Sequence, residues 1–257
     1  MLPASLHFKV AQDCVKYKKN LVTASYVSDE IRSLDVEAKK NGVLLLNEIG
    51  LDPGIDHMSA MKVIDEIKAK GGELKSFKSY CGGLVAPEFD ANPWKYKFTW
   101  NPRNVVLAGQ GTAQYVEGGK CKYIPYGQLF KRTDVLNVLD YGEFEAYANR
   151  DSLSYREIYH LDDIPTLFRG TLRRPGYGEA WDLFVQMGMT DDSFEINVSG
   201  MTYHDFFHSF LEETKFSTKD YLRSHFGVSD IVLFKVEWLG FFKEIEIGLE
   251  MATPAQV

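Results

Sequence analysis

Two apolar runs, LVTASYV (residues 21–27) and VLLLNEIG (43–50), flank a polar stretch with helical spacing. This strand–helix–strand pattern constrains the chain more than any other feature. Both runs are rich in aliphatic and β-branched residues, which suits buried strands. The intervening stretch, 28–41, opens on Ser28, a good N-cap, followed by Asp29 and Glu30. It closes on Lys39 and Lys40, with Gly42 placed for a left-handed cap. Strand, helix and strand at this spacing predict a βαβ unit with parallel strands and a right-handed crossover. Upstream, residues 7–18 put Val10, Ala11, Cys14 and Val15 on one side of a helix. Ligands of open α/β sheets sit beyond the carboxyl ends of the strands. Asp52, Asp56 and His57, between the second run and a helix predicted over Ile55–Lys70, are therefore candidate functional residues. On the residues alone, Asp52 serves equally well as a cap of that helix, with Pro53 in its first position.

After the Gly71–Gly72 stop, the pattern changes to short strand-like pieces separated by Gly, Pro and Asn: ELKSFKSYCGG, KYKFTW, NVVLAG, KCKYIPY, FEAYAN and PTLFRGTLRR. From about Gly178 the apolar spacing turns helical, and the last residues, GLEMATPAQV, end in a polar stretch with no return to a sheet. The predicted class is α/β to α+β: a parallel-sheet part over 1–54, a mixed or antiparallel-sheet domain over 55–177, and a small helical region over 178–257.

Charge excludes some functions. Lys plus Arg is 29 and Asp plus Glu is 36, a net charge of −7 with no basic run, which speaks against nucleic acid. No apolar stretch reaches the roughly 18 residues of a membrane span. The start lacks the charged and apolar segments of a secretory signal. Three scattered cysteines, Cys14, Cys81 and Cys121, suit a reducing, cytoplasmic compartment.

Two strings mimic known sites. GQGTAQ (109–114) begins like a dinucleotide fingerprint but carries Gln at 114, and no acidic residue ends a strand about 20 residues on. His204 and His208 have the spacing of a zinc helix, but three phenylalanines dominate the stretch and no third ligand is evident nearby; no metal is expected. SYCGGL (79–84) sets a thiol beside glycines at a strand end; such a thiol acts as acid or base when its pKa is moved, or serves as a small core residue. NRDS (149–152) and RGTLRR (169–174) place arginines at strand ends, where they capture carboxylates or pair at the surface.

Taken together, TASY (23–26), NEIGLDPGIDH (47–57), SYCGGL, NPWKYKFTW (92–100), NRDS and RGTLRR resemble the glutamate-forming saccharopine dehydrogenases, in that family's order. The resemblance implies a Rossmann-type dinucleotide-binding domain, of which 1–54 would be the carboxyl-terminal part, then a substrate domain and a helical insertion. It implies reversible, NAD- or NADP-dependent oxidation of saccharopine to glutamate and 2-aminoadipate 6-semialdehyde in lysine metabolism. By the same resemblance Tyr26, Asp52 and Cys81 carry proton transfer and hydrogen bonding. Ser25, Tyr26, Cys81, Arg150, Thr171 and Arg173 contact substrate, and Asp52, Pro53, Gly54 and Trp100 adjoin the cofactor. A homodimer is compatible with it. The family's Gly-rich phosphate turn is absent from the sequence, so an incomplete copy with at most weak cofactor affinity is expected. Two other readings stand beside this: a non-catalytic substrate-binding or dimerisation fragment, and a carboxyspermidine-type amine dehydrogenase.

Overall fold

The computed structural model describes residues 2, 6–99, 101–213 and 215–257. The chain forms two compact units, Met1–Leu74 and Lys75–Val257.

In the first unit, β1 (Leu21–Val22) pairs in parallel with β2 (Leu45–Leu46). Three helices, α1 (His7–Lys16), α2 (Asp29–Ser33) and α3 (Asp35–Asn41), build a small core with the sheet: Ala11, Val15, Ile31, Leu34, Ala38 and Val43 are buried, with Leu21 and Leu45 packed against them. Ser28 caps α2 through the Ile31 amide, and Gly42 ends α3 at φ 66°, both as the sequence predicts. The predicted single helix breaks at Leu34. The predicted strands shrink to two residues each and are not buried on both faces: Val22 is 60% exposed, and Leu44 and Leu46 are exposed too. The reason lies in residues 23–27, which keep some backbone bonds to the second run but give up regular pairing as side chains take part. The Ser25 amide donates to Thr23 Oγ1, and the Val27 amide to Glu48 Oε1. A fourth helix, α4 (Ile55–Ala69), begins after Gly54 and stops before Gly71.

The second unit holds a mixed sheet of β3 (Ser76–Cys81), β4 (Ala113–Glu117), β5 (Lys120–Ile124), β6 (Asp134–Asn137), β7 (Glu143–Ala148) and β8 (Thr166–Arg173). Its order is β5-β4-β8-β7-β6, with β3 also on β8. β8 is the hub: parallel to β3, antiparallel to β7, and touching β4 at Val116–Leu167. Two predicted strands are absent. NVVLAG forms α5 (Pro102–Val106) and a 3-10 turn, because Pro102 supplies a helix-ready first position. Residues 95–99 of KYKFTW form no strand, and Trp94 and Tyr96 are buried in an aromatic cluster.

A short α6 (Tyr155–Ile158) precedes β8, and α7 (Tyr177–Met187) packs its apolar face into the main core. Beyond β9 (Ile196–Asn197) come α8 (Tyr203–His208), α9 (Thr218–Phe226) and α10 (Asp230–Leu239). β10 (Met251–Ala252) then pairs antiparallel with β9, so the chain does return to a sheet, against expectation. No sequence pattern flags a ladder of two residues whose partner lies so far along the chain. Phe207 is fully buried and its ring meets Phe241 and Phe242 at 5.5 and 5.4 Å. Phe207→Ala should cost about 3–5 kcal/mol, read by urea unfolding with tryptophan fluorescence. Among the described residues, no helix is long and apolar enough to cross a membrane.

Candidate active site

In the first unit the predicted residues gather where the chain leaves β1 and β2. The turn after β2 closes on itself: the Gly50 amide donates to the Pro53 carbonyl at 2.9 Å, and the Ile55 amide to the Gly50 carbonyl at 2.9 Å. Asp52–Pro53 is a cis peptide, and Gly54 sits at φ 150°, ψ −93°. Gly54 is held against Gly50 so closely that a Cβ there would lie 2.1 Å from the Gly50 carbonyl oxygen. Asp52 does not cap α4, and Pro53 is not its first residue; Gly54 occupies the cap position, and its amide donates to Asp56 at 2.8 Å. Asp52 instead accepts a 3.0 Å hydrogen bond from the Tyr26 hydroxyl. The Ser25 carbonyl accepts from the Glu48 amide at 3.1 Å, which ties the loop after β1 to the loop after β2. His57 Nε2 lies 3.8 Å from Asp56 and 3.9 Å from Glu48. Glu48 was not singled out by the sequence; its φ of 58° and its bond to the Val27 amide mark it as part of this constellation.

In the second unit the sheet register brings three predicted residues onto one face. Cys81 pairs with Thr171, and Thr171 with Tyr147 on the other neighbour, so the three line up across adjacent strands. Arg173 lies two residues beyond Thr171, on the same face by the alternation of a strand. Cys81 is half-buried. The glycine beside it has a structural reason: a Cβ on Gly82 would lie 2.4 Å from the Leu172 carbonyl oxygen.

Arg173 is only 5% exposed, and its guanidinium carbon lies 4.6, 5.2 and 5.9 Å from the ring centres of Tyr96, Tyr177 and Tyr147. Burial raises the phenol pKa of Tyr177 and of Tyr147. Both rings are therefore neutral at physiological pH. Sequence reasoning missed these tyrosines. They lie in three separate segments and only the ladder and α7 bring them to Arg173.

Arg150 is placed elsewhere. It follows β7 at φ 38°, exposed, its carbonyl accepting from the Gln114 amide at 2.7 Å. It lies past the end of the β7–β8 ladder, whose last pair is Ala148 with Gly170, whereas Arg173 pairs with Glu145 further along. The two arginines thus do not share one position. Trp100 lies outside the described residues.

Glu244 comes beside His204 and Asp205, without His208. Glu244 Oε1 is 3.4 Å from His204 Nδ1, and possible ligand atoms of His204, Asp205 and Glu244 lie within 4.8 Å of one another. Asp205 is engaged in a capping box with Thr202, and His208 meets the Thr218 hydroxyl at 2.8 Å.

Residues 50–250 match the family described as the saccharopine dehydrogenase C-terminal domain. The chain is 37% identical to the NADP(+)-linked, L-glutamate-forming saccharopine dehydrogenase of Saccharomyces cerevisiae, covering 96% of this chain and 57% of that protein. It is 36% identical to the mitochondrial alpha-aminoadipic semialdehyde synthase of Bos taurus, over 96% of this chain and 28% of that protein. A solved structure of apo saccharopine dehydrogenase (L-Glu forming) from S. cerevisiae superposes with a TM-score of 0.83 at 35% identity, covering 96% of this chain and 58% of that one. The chain therefore spans little more than half the length of the yeast protein.

Proposed function

Because the chain belongs to the saccharopine dehydrogenase family, we propose that it serves the reversible oxidation of saccharopine to glutamate and 2-aminoadipate 6-semialdehyde in lysine metabolism. The observation that carries this reading is the register that puts Cys81, Thr171 and Arg173 on one face of the β3–β8–β7 sheet, inside the family match. Saccharopine bears three carboxylates. Arg173 and Arg150 suit a polyanion. Two cations disfavour a polyamine, and with it the carboxyspermidine-type reading.

In the oxidative direction a hydride leaves the carbon attached to the secondary amine, and water then hydrolyses the imine. One water is consumed, and glutamate and the semialdehyde are released. Tyr26 and Asp52, already hydrogen-bonded, form a proton-transfer pair, and Cys81 is assigned hydrogen bonding or proton transfer at the reacting amine. Ser25 and Thr171 are assigned substrate hydrogen bonds. The cofactor, NAD or NADP, supplies the hydride acceptor; the yeast relative is NADP(+)-linked. Its fit to the described residues is partial. Asp52, Pro53 and Gly54 form a turn at a strand end, suited to the nicotinamide side, as is Trp100 by resemblance. No Gly-rich phosphate turn lies among the described residues, and the space beside Gly54 is filled by Gly50.

Residues 1–54 then stand as the carboxyl-terminal part of a Rossmann-type domain, 55–177 as the substrate domain and 178–257 as the helical insertion. A cytoplasmic location and a homodimer complete the reading. Calorimetric titration of this chain with saccharopine, with and without NADP, tests it. Saccharopine heat with micromolar to millimolar affinity is expected. A cooperatively folded sample giving no heat with saccharopine overturns the assignment for this polypeptide.

A further inference from the structure

Arg173 is a buried cation that has no counter-charge in ion-pair contact among the described residues. Its Nη1 donates to the Leu172 carbonyl at 2.9 Å, while its Nε is buried with no hydrogen-bond partner. The Tyr96 hydroxyl, on a side chain 9% exposed, is likewise buried and unpartnered. Glu145 is the cross-strand partner of Arg173, yet its carboxylate is spent on the Gly176 and Gly178 amides. The Tyr147 and Tyr177 rings flank the guanidinium, their centres 5.9 and 5.2 Å from its carbon. The rings offer their π faces, which partly offset the loss of water around the charge but do not neutralise it.

We propose that Tyr96, Tyr147 and Tyr177 are positioning residues that hold the Arg173 guanidinium desolvated and uncompensated, so that a ligand carboxylate becomes its ion partner. The inference rests on the saccharopine reading above and adds the tyrosines that the reading does not contain. An arginine already paired with a protein carboxylate would have to break that pair to bind. One held by neutral rings and a single backbone hydrogen bond does not, and its fork stays oriented.

The test is a double-mutant cycle on the full chain, with saccharopine as the probe. Tyr177→Phe removes the hydroxyl from a ring that flanks Arg173 and keeps the ring. It should weaken saccharopine binding about 10-fold, with the urea midpoint held, and should have no further effect in an Arg173→Met background. Arginine side-chain NMR supplies a second readout: the Arg173 Nε–H signal should shift when saccharopine is added. Equal losses from Tyr177→Phe in both backgrounds, no loss in either, or an unmoved Nε–H signal in a chain that binds saccharopine each overturn the proposal while sparing the broader function. A wild-type chain that fails to bind saccharopine overturns the broader reading and this one with it.

Discussion

Gly54→Ala should destabilise the first unit by about 3 kcal/mol or more. Two effects combine. The φ of 150° is one that residues with a Cβ rarely adopt. The added methyl would also meet backbone rather than a side chain, 2.1 Å from the Gly50 oxygen and 2.6 Å from its nitrogen. No rotamer change relieves contact with backbone, so the Gly50–Gly54 closure must open. Asp52 rides on that turn, and the Tyr26–Asp52 bond should be lost with it. The four tryptophans all lie beyond residue 74, so fluorescence does not report on this unit. Hydrogen exchange of peptides over 43–58 does, and should rise sharply; unchanged protection there would mean the turn accommodates a side chain.

Arg173→Met should separate stability from binding. Replacing a buried, unpaired cation by an apolar side chain of similar length removes a desolvation cost, so the urea midpoint should hold or rise. Saccharopine affinity should fall by about 2–3 kcal/mol, the usual worth of a charge-assisted bond. Tryptophan fluorescence reads the first quantity, because Trp94 and Trp181 pack around Tyr177. Calorimetry reads the second. A midpoint that drops together with affinity would make Arg173 a structural residue.

Local chemistry made part of this architecture legible. Ser28 acts through its own side chain and Gly42 and Gly71 through their own backbone, so the helix ends they govern can be read from a few residues. Strands β3, β5, β7 and β8 also announce themselves by composition. Elements that depend on distant partners do not. Val105 and Val106 favour a strand by type, yet Pro102 starts a helix there, and Gly109 lets Val185 and Phe130 pack close to its end. The residue strings around Tyr26, Asp52 and Cys81 were readable because each is contiguous. The Tyr96–Tyr147–Tyr177 cage was not, since only strand register and α7 assemble it.

The short β9–β10 ladder has an entropic consequence. It seals residues 198–250, including α8, α9 and α10, into a single closed ring of chain. Closing a ring of that length costs about 3.5 kcal/mol in its length-dependent part, more than a two-residue ladder returns. The balance must come from the side chains the seal brings into the core, among them Val198, Phe206, Phe207 and Ala252. The three helices are thus expected to melt as one cooperative block, with the final residues acting as its latch.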